Sequence, residues 1–297
     1  MAALTARPGR NWTEGGGVTR SMRPLPNFTA ASLVLALAAC GQPTESSIGR
    51  PAGADELVIR VENRGGLLPP LEKEKQAPSI SIYGDGRVLV PAPVPDVFPG
   101  PAGYGLETFS ITPAVLDEIV SEVLAIGLRG ADRSIPQQGP DFVVDGGATV
   151  ITVMGAGSRH ETTVDALFDT RPDTPERQTL HDFVSRLFAL RDGAGVPGAY
   201  EPSGMRLYTA GLENAEFMSE MELVEMAWPL TAPLATWGES LRPDGLTVDV
   251  RCGVVDGEEL VAALPILRAA TGATVVVDGD EQRLIGYRPL LPDESTC

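Results

Sequence analysis

The apolar run at residues 30–37, Ala-Ala-Ser-Leu-Val-Leu-Ala-Leu, limits what the rest of this chain can become. It follows Arg20 and Arg23 and ends at Ala38-Ala39-Cys40. A positively charged stretch, a short apolar core and small residues at its end are the parts of a secretory signal, which is removed before the mature protein folds. Even counted from Phe28 to Ala39, about a dozen residues, the run falls well short of the roughly 20 that a membrane-spanning helix needs. No later run approaches that length, so everything after it has to bury its apolar side chains in a core of its own. Two plainer readings stand beside a processed anchor: an ordinary secretory signal, or a membrane helix that happens to end in Cys.

The ending Leu37-Ala38-Ala39-Cys40 resembles the lipobox of bacterial lipoproteins. That resemblance implies cleavage before Cys40, a diacylglycerol on its sulfur and a mature chain anchored outside the cytoplasm. Two acyl chains hold a protein stably, because each buried methylene contributes about 0.8 kcal/mol. Met22-Arg23 would begin a signal of ordinary length, leaving residues 1–21 as an over-long start or a leader. The expected organisation is a leader and signal peptide over 1–39, a polar tether over 40–54 and an N-terminal α+β subdomain over 55–192. A Gly- and Pro-bearing linker over 193–202 then leads to a C-terminal α+β subdomain over 203–297.

Removing residues 1–39 leaves 19 basic against 39 acidic side chains, a net charge of −20. Such a surface argues against nucleic acid, or an anionic membrane face, as a partner held by a broad basic patch. It suits solubility on a tether and divalent or cationic partners. Besides an envelope protein as partner, a small cationic or sugar-like ligand would use a cleft between the subdomains on either side of 192–202. Beyond Cys40 only Cys252 and Cys297 remain. In an oxidising compartment two such thiols read as a disulfide, whose loop of about 46 residues would stabilise the fold by roughly 4 kcal/mol in the chain-entropy account. The alternative, a redox-active pair, lacks the close spacing such pairs have.

Residues 57–61 read as a strand and 62–78, with Gly65-Gly66, Pro69-Pro70 and a mixed-charge run, as an exposed loop. Residues 79–83 and 87–90 around Gly84-Asp85-Gly86 read as a β-hairpin. Residues 91–103 carry five prolines and must be irregular. After a strand at 106–111, Thr112-Pro113 opens a helix with Val115, Leu116, Ile119, Val120, Val123 and Leu124 on one face and Gly127 past its end. A hairpin at 148–154 and 159–167 precedes a second helix, from Thr174-Pro175 to about Leu190, expected to bury Leu180, Phe183, Val184, Leu187 and Phe188. In the C-terminal part, 205–209 and 246–251 read as strands and 212–228 as a weak helix. Asp256-Gly257-Glu258-Glu259 reads as a capping box opening a helix over 260–270 that bends at Pro265. Residues 273–278 and 282–288 form a last hairpin at Gly279-Asp280. The phrase Ile80-Ser81-Ile82-Tyr83-Gly84-Asp85-Gly86-Arg87-Val88, Trp228-Pro229-Leu230 and the tail Arg288-Pro289-Leu290-Leu291-Pro292-Asp293-Glu294 resemble an uncharacterised lipoprotein family of high-GC, actinobacterial-type bacteria. The resemblance spans nearly all of the mature chain and implies no activity.

Catalytic signals are sparse. His160 and His181 are the two histidines, one expected in a half-exposed hairpin and one on the second helix. No Gly-x-Ser-x-Gly elbow, phosphate loop or dinucleotide fingerprint accompanies them. The histidines and cysteines lack zinc spacing, and the acids at 278–281 and 141–145 stop short of a calcium loop. No catalytic residue, metal or cofactor is therefore expected, and an envelope hydrolase using carboxylates or a divalent ion is the alternative. Trp228, Trp237 and Tyr208 are the candidate ligand or partner residues. Glu213, Glu216, Glu220, Glu222 and Glu225, with Met218, Met221 and Met226, would form an acidic and Met-rich interaction element if helical. The function these readings favour is a membrane-anchored, non-enzymatic binding or scaffolding module of α+β fold.

Overall fold

Alternation of apolar and polar residues builds the first sheet. The computed structural model describes residues 49–138, 143, 145–155, 157–169, 171–212, 222–241 and 249–297. Its strands are β1 (Leu57–Arg64), β2 (Ile80–Tyr83), β3 (Arg87–Pro91), β4 (Leu106–Ser110), β5 (Arg133–Ile135), β6 (Ala148–Met154), β7 (Arg159–Asp165) and β8 (Gly198–Ala199). They run in the order β5-β7-β6-β1-β2-β3-β4-β8. Every neighbouring pair is antiparallel except β5 with β7. A period of two sends Ile59, Val61, Ile80, Ile82, Val88, Phe109, Ile151 and Val153 to one face. Two helices cover that face: α2 (Pro113–Ala125) supplies Leu116, Ile119, Val120 and Val123, and α3 (Pro175–Gly193) supplies Leu180, Phe183, Val184 and Leu187. Each such side chain withdrawn from water contributes about 1.5–3 kcal/mol before entropy is charged against it. Both helices begin as their Thr-Pro signals predict, with Thr112 accepting from the Val115 amide and Thr174 from the Arg177 amide. Leu124 and Phe188, expected to be buried, are instead exposed at the margins of their stripes.

The second sheet runs β10-β13-β14-β9-β12-β11. Here β9 is Gly204–Ala210, β10 Val224–Ala227, β11 Glu239–Leu241, β12 Val250–Asp256, β13 Thr274–Asp278 and β14 Glu281–Pro289. One face packs under α4 (Gly257–Ala269) through Leu207, Val255, Leu260, Ala263, Leu267 and Ile285. The other face holds Tyr208, Ala210, Val250, Cys252, Val275 and Leu284, and the chain that covers it comes from far away. Leu71, on the short helix α1 (Pro70–Glu74), completes that cluster. The region expected to be a loop over 62–78 thus contains a helix, five residues long and too short to show periodicity.

The Pro-rich excursion is irregular, as expected, yet its end is docked on the second sheet. The Gly272 amide donates to Gly100 O, the Ala102 amide to Ala270 O and the Tyr287 amide to Ala102 O. Gly103 is required there, because a Cβ would fall 2.4 Å from the Tyr287 ring. Residues 46–297 accordingly cluster as one compact unit. The stretch read as a linker over 193–202 contributes β8, which pairs with β4.

Other expectations for the C-terminal part change. Residues 224–227 form a strand parallel to β13 rather than the end of a helix, while 213–221 lie outside the described residues. The strand expected at 246–251 has its described part in β12, which continues to Asp256. No capping box forms: the Asp256 side chain makes no cap bond, and Glu259 accepts from the Thr231 amide instead. The helix α4 runs through Pro265. Among the described residues no helix is long and apolar enough to cross a membrane.

Candidate functional site

The three aromatic candidates do not converge. Trp228 and Trp237 meet edge to face at 5.3 Å, with the Trp228 indole donating to Ala232 O. Trp237 is buried beneath α4, its ring lying where a Cβ on Gly253 would sit. Tyr208 points to the opposite face of the second sheet, into the cluster that Leu71 completes. The tryptophans are therefore core packing, and Tyr208 is separated from them by the sheet itself.

Cys252 and Cys297 form a disulfide, which joins β12 to the end of the chain. Cys40 lies outside the described residues. His160 stands in β7, where one ring nitrogen meets Gly130 O at 2.7 Å and the other meets Ser158 Oγ at 2.9 Å. Sequence reading did not foresee that Ser–His contact. A carbonyl rather than a carboxylate orients the ring, and Ser158 is exposed on a hairpin turn, so the pair serves to hold the turn. His181 lies against Phe168 and Asp182 on α3. Among the described residues no group of three or more His, Cys, Asp or Glu side chains is placed to hold a metal ion.

Several recesses open among the described residues. The largest, about 800 Å³ beneath β1, is lined by Arg50, Arg60, Arg64 and Arg159. Each is already matched by a carboxylate, from Asp117, Asp293, Glu62 and Glu161 respectively. A second, about 570 Å³, holds Tyr208, Arg206 and Arg288 beside the disulfide, and there both arginines are committed to Glu294. An anion entering the first recess, or reaching the arginines of the second, would have to displace a formed ion pair; Lys73, which also lines the second, makes none among the described residues.

The third recess, about 610 Å³, opens between β4 and β8 of the first sheet and α4 and β14 of the second. Its walls are mainly apolar and aromatic: Tyr104, Tyr200 and Tyr287 with Leu106, Met205, Pro202, Leu260, Leu264 and Pro289. That size and lining suit a small organic molecule. The tyrosines arrive from three separate stretches, each held by its own contact. The Tyr104 hydroxyl donates to Glu72 and the Tyr200 hydroxyl to Leu290 O, while Tyr287 stacks on the backbone at Gly103. Burial raises all three phenol pKa values, with the Glu72 charge adding to the effect at Tyr104, so at neutral pH each offers a neutral ring. Glu107 is paired with Arg191. Glu201 and Arg268 also line the recess, and among the described residues neither makes an ion pair. The cleft thus combines ring faces with one uncommitted charge of each sign, a set suited to stacking and orienting a ligand rather than to bond cleavage. Its tyrosines lie up to 183 positions apart and belong to no motif; the one sequence cue is that the cleft brackets residues 199–202. Neither a family model, nor a curated protein, nor a solved structure matches this chain.

Proposed function

We propose that this chain is a lipid-anchored extracytoplasmic binding protein, with a diacylglycerol on Cys40, whose small cationic or sugar-like ligand seats in the tyrosine cleft. The observation that carries the reading is the cleft itself: three neutral rings, two from the stretches flanking β4 and β8 and one from β14, with Glu201 and Arg268 left uncommitted. Sugars stack on such rings through their apolar faces, and alkylammonium ions are attracted to them by the ring quadrupole. A chain with 40 acids against 23 bases also concentrates cations around itself. The Cys252–Cys297 disulfide supports an oxidising compartment, as does the signal-like run before Cys40.

Titration calorimetry of the purified chain against alkylammonium ions and neutral saccharides tests the cleft. At least one class should bind, and Leu264→Trp, which narrows the cleft from α4, should weaken binding about tenfold, or 1.4 kcal/mol. Binding by neither class, or unaltered binding in Leu264→Trp, would remove the cleft from consideration. Mass spectrometry of the native N-terminus tests the anchor, which fails if residues 1–39 are retained without acylation.

A further inference from the structure

Two consecutive acids near the end of the chain face different sheets. Asp293 turns to the first: its Oδ1 accepts from Arg60 Nη2 at 2.6 Å and from the Tyr83 hydroxyl at 2.8 Å. Glu294 turns to the second: Arg288 donates to it through both terminal nitrogens at 2.8 and 2.9 Å, and Arg206 Nη2 lies 3.2 Å away. Leu291, 2% exposed, fills a cluster with Leu57, Tyr83, Leu89 and Leu106 on the face of the first sheet that α2 and α3 leave uncovered. The Leu290 amide donates to Gly204 O in the second sheet, and Leu290 O receives the Tyr200 hydroxyl from the wall of the cleft. Eight residues therefore tie both sheets and one cleft wall together.

The last three residues, Ser295, Thr296 and Cys297, are exposed, and the bond to Cys252 fixes their position. Cys252 is 1% exposed, so a thiolate from solvent reaches the Cys297 sulfur first. We infer that residues 290–297 form a releasable clasp across the two sheets, with the disulfide as its catch. A dithiol reductant attacks the Cys297 sulfur, forms a mixed disulfide and expels the Cys252 thiolate, which takes up a proton. The second thiol of the reductant then displaces Cys297. The products are two protein thiols and one oxidised, cyclic reductant, with two electrons and two protons transferred. Once that bond is open, the octet is held by its ion pairs, by Leu291 and by the Leu290 bonds without a covalent constraint, so it opens more often, and the Tyr200 hydroxyl loses its acceptor each time it does. The consequence for ligand rests on the cleft being the binding site; the clasp itself does not.

Hydrogen exchange read by mass spectrometry on the full chain, before and after dithiothreitol, is the test. Exchange at residues 290–297 and 198–204 should quicken at least about tenfold on reduction, while α2 and α3 keep their protection. The variant Cys297→Ser, without reductant, should reproduce the reduced pattern. Unchanged exchange at 290–297, or loss of protection in α2 and α3 at the same time, would overturn the clasp and leave a purely structural cystine. If the octet is released but no alkylammonium ion or saccharide binds in either redox state, the clasp stands and the cleft reading falls.

Discussion

The two sheets solve the same burial problem in different ways. The first is covered by its own helices: α2 and α3 follow its strands in the chain and close a contiguous core around Phe183 and Ile59, both fully buried. Among the described residues the second has one α-helix of its own, α4, and takes the cover for its other face from the N-terminal half, through Leu71 on α1, with residues 100–103 docked along α4's end. Lys75 shows how firmly that loan is held. Its ammonium is buried, pairs with Glu72 at 2.7 Å and donates to Ala102 O. A sheet finished by distant segments depends on the rest of the chain for its stability, whereas a sheet finished by its neighbours does not.

Leu71→Ala should expose that dependence most strongly. Truncating a buried Leu costs about 2–5 kcal/mol, set by how far the site can collapse. Because Leu71 sits between α1 and the second sheet, hydrogen exchange in β9, β12 and β14 should accelerate more than in β1 and β6. An equal response in both sheets would show that the two halves unfold as one cooperative unit and that the borrowed cover confers no local weakness.

Acid should act next, through the clasp. Burial alone would raise the Glu294 pKa, but the hydrogen bonds and charges of Arg288 and Arg206 outweigh it and hold the carboxyl below its ordinary range. A carboxyl with a depressed folded-state pKa adds stability that is complete above its unfolded value and is lost as pH falls through the folded one. The melting temperature should therefore decline as pH falls below about 5, where free Glu begins to protonate. Glu294→Gln should begin lower and decline less steeply over the same range. Parallel curves for the two proteins would assign the acid response to other carboxyls.

What could be read from residue order follows the same division. Strands β1–β4, β6 and β7 of the first sheet and both of its helices were legible because their determinants are local: period-two alternation, apolar stripes and Thr-Pro starts at 112–113 and 174–175; β5 and β8, three and two residues long, carry no such pattern. The second sheet hid more. Met226 and its acidic neighbours carry a helix-like spacing, yet 224–227 pair with β13 some 50 residues later, and only that partner selects the strand. The helix α1 is stabilised by a cluster it reaches across 130 or more residues. The disulfide was legible by elimination, as the two cysteines after position 40. The cleft was legible in its position beside 192–202 but not in its lining, since Tyr104, Tyr200 and Tyr287 share no spacing and become neighbours only when both sheets are in place.

The smallest expected effect separates the two halves at their helix starts. In the first sheet Thr174 accepts from the Arg177 amide at 3.2 Å, satisfying one of the four amides a helix leaves without a partner at its N-terminus. Removing that oxygen in Thr174→Ala should cost about 1 kcal/mol, readable as a shift in the denaturation midpoint. In the second sheet Asp256 occupies the matching position ahead of α4 but makes no cap bond, because its backbone belongs to β12 and Gly257 turns the chain with φ +52°. What Asp256 supplies is a negative charge near the helix dipole, screened by salt. Asp256→Ala should therefore cost no more than about 0.5 kcal/mol at moderate salt. A cost near that of Thr174→Ala, persisting in high salt, would mean that the aspartate caps α4 after all and that the helices of the two sheets start alike.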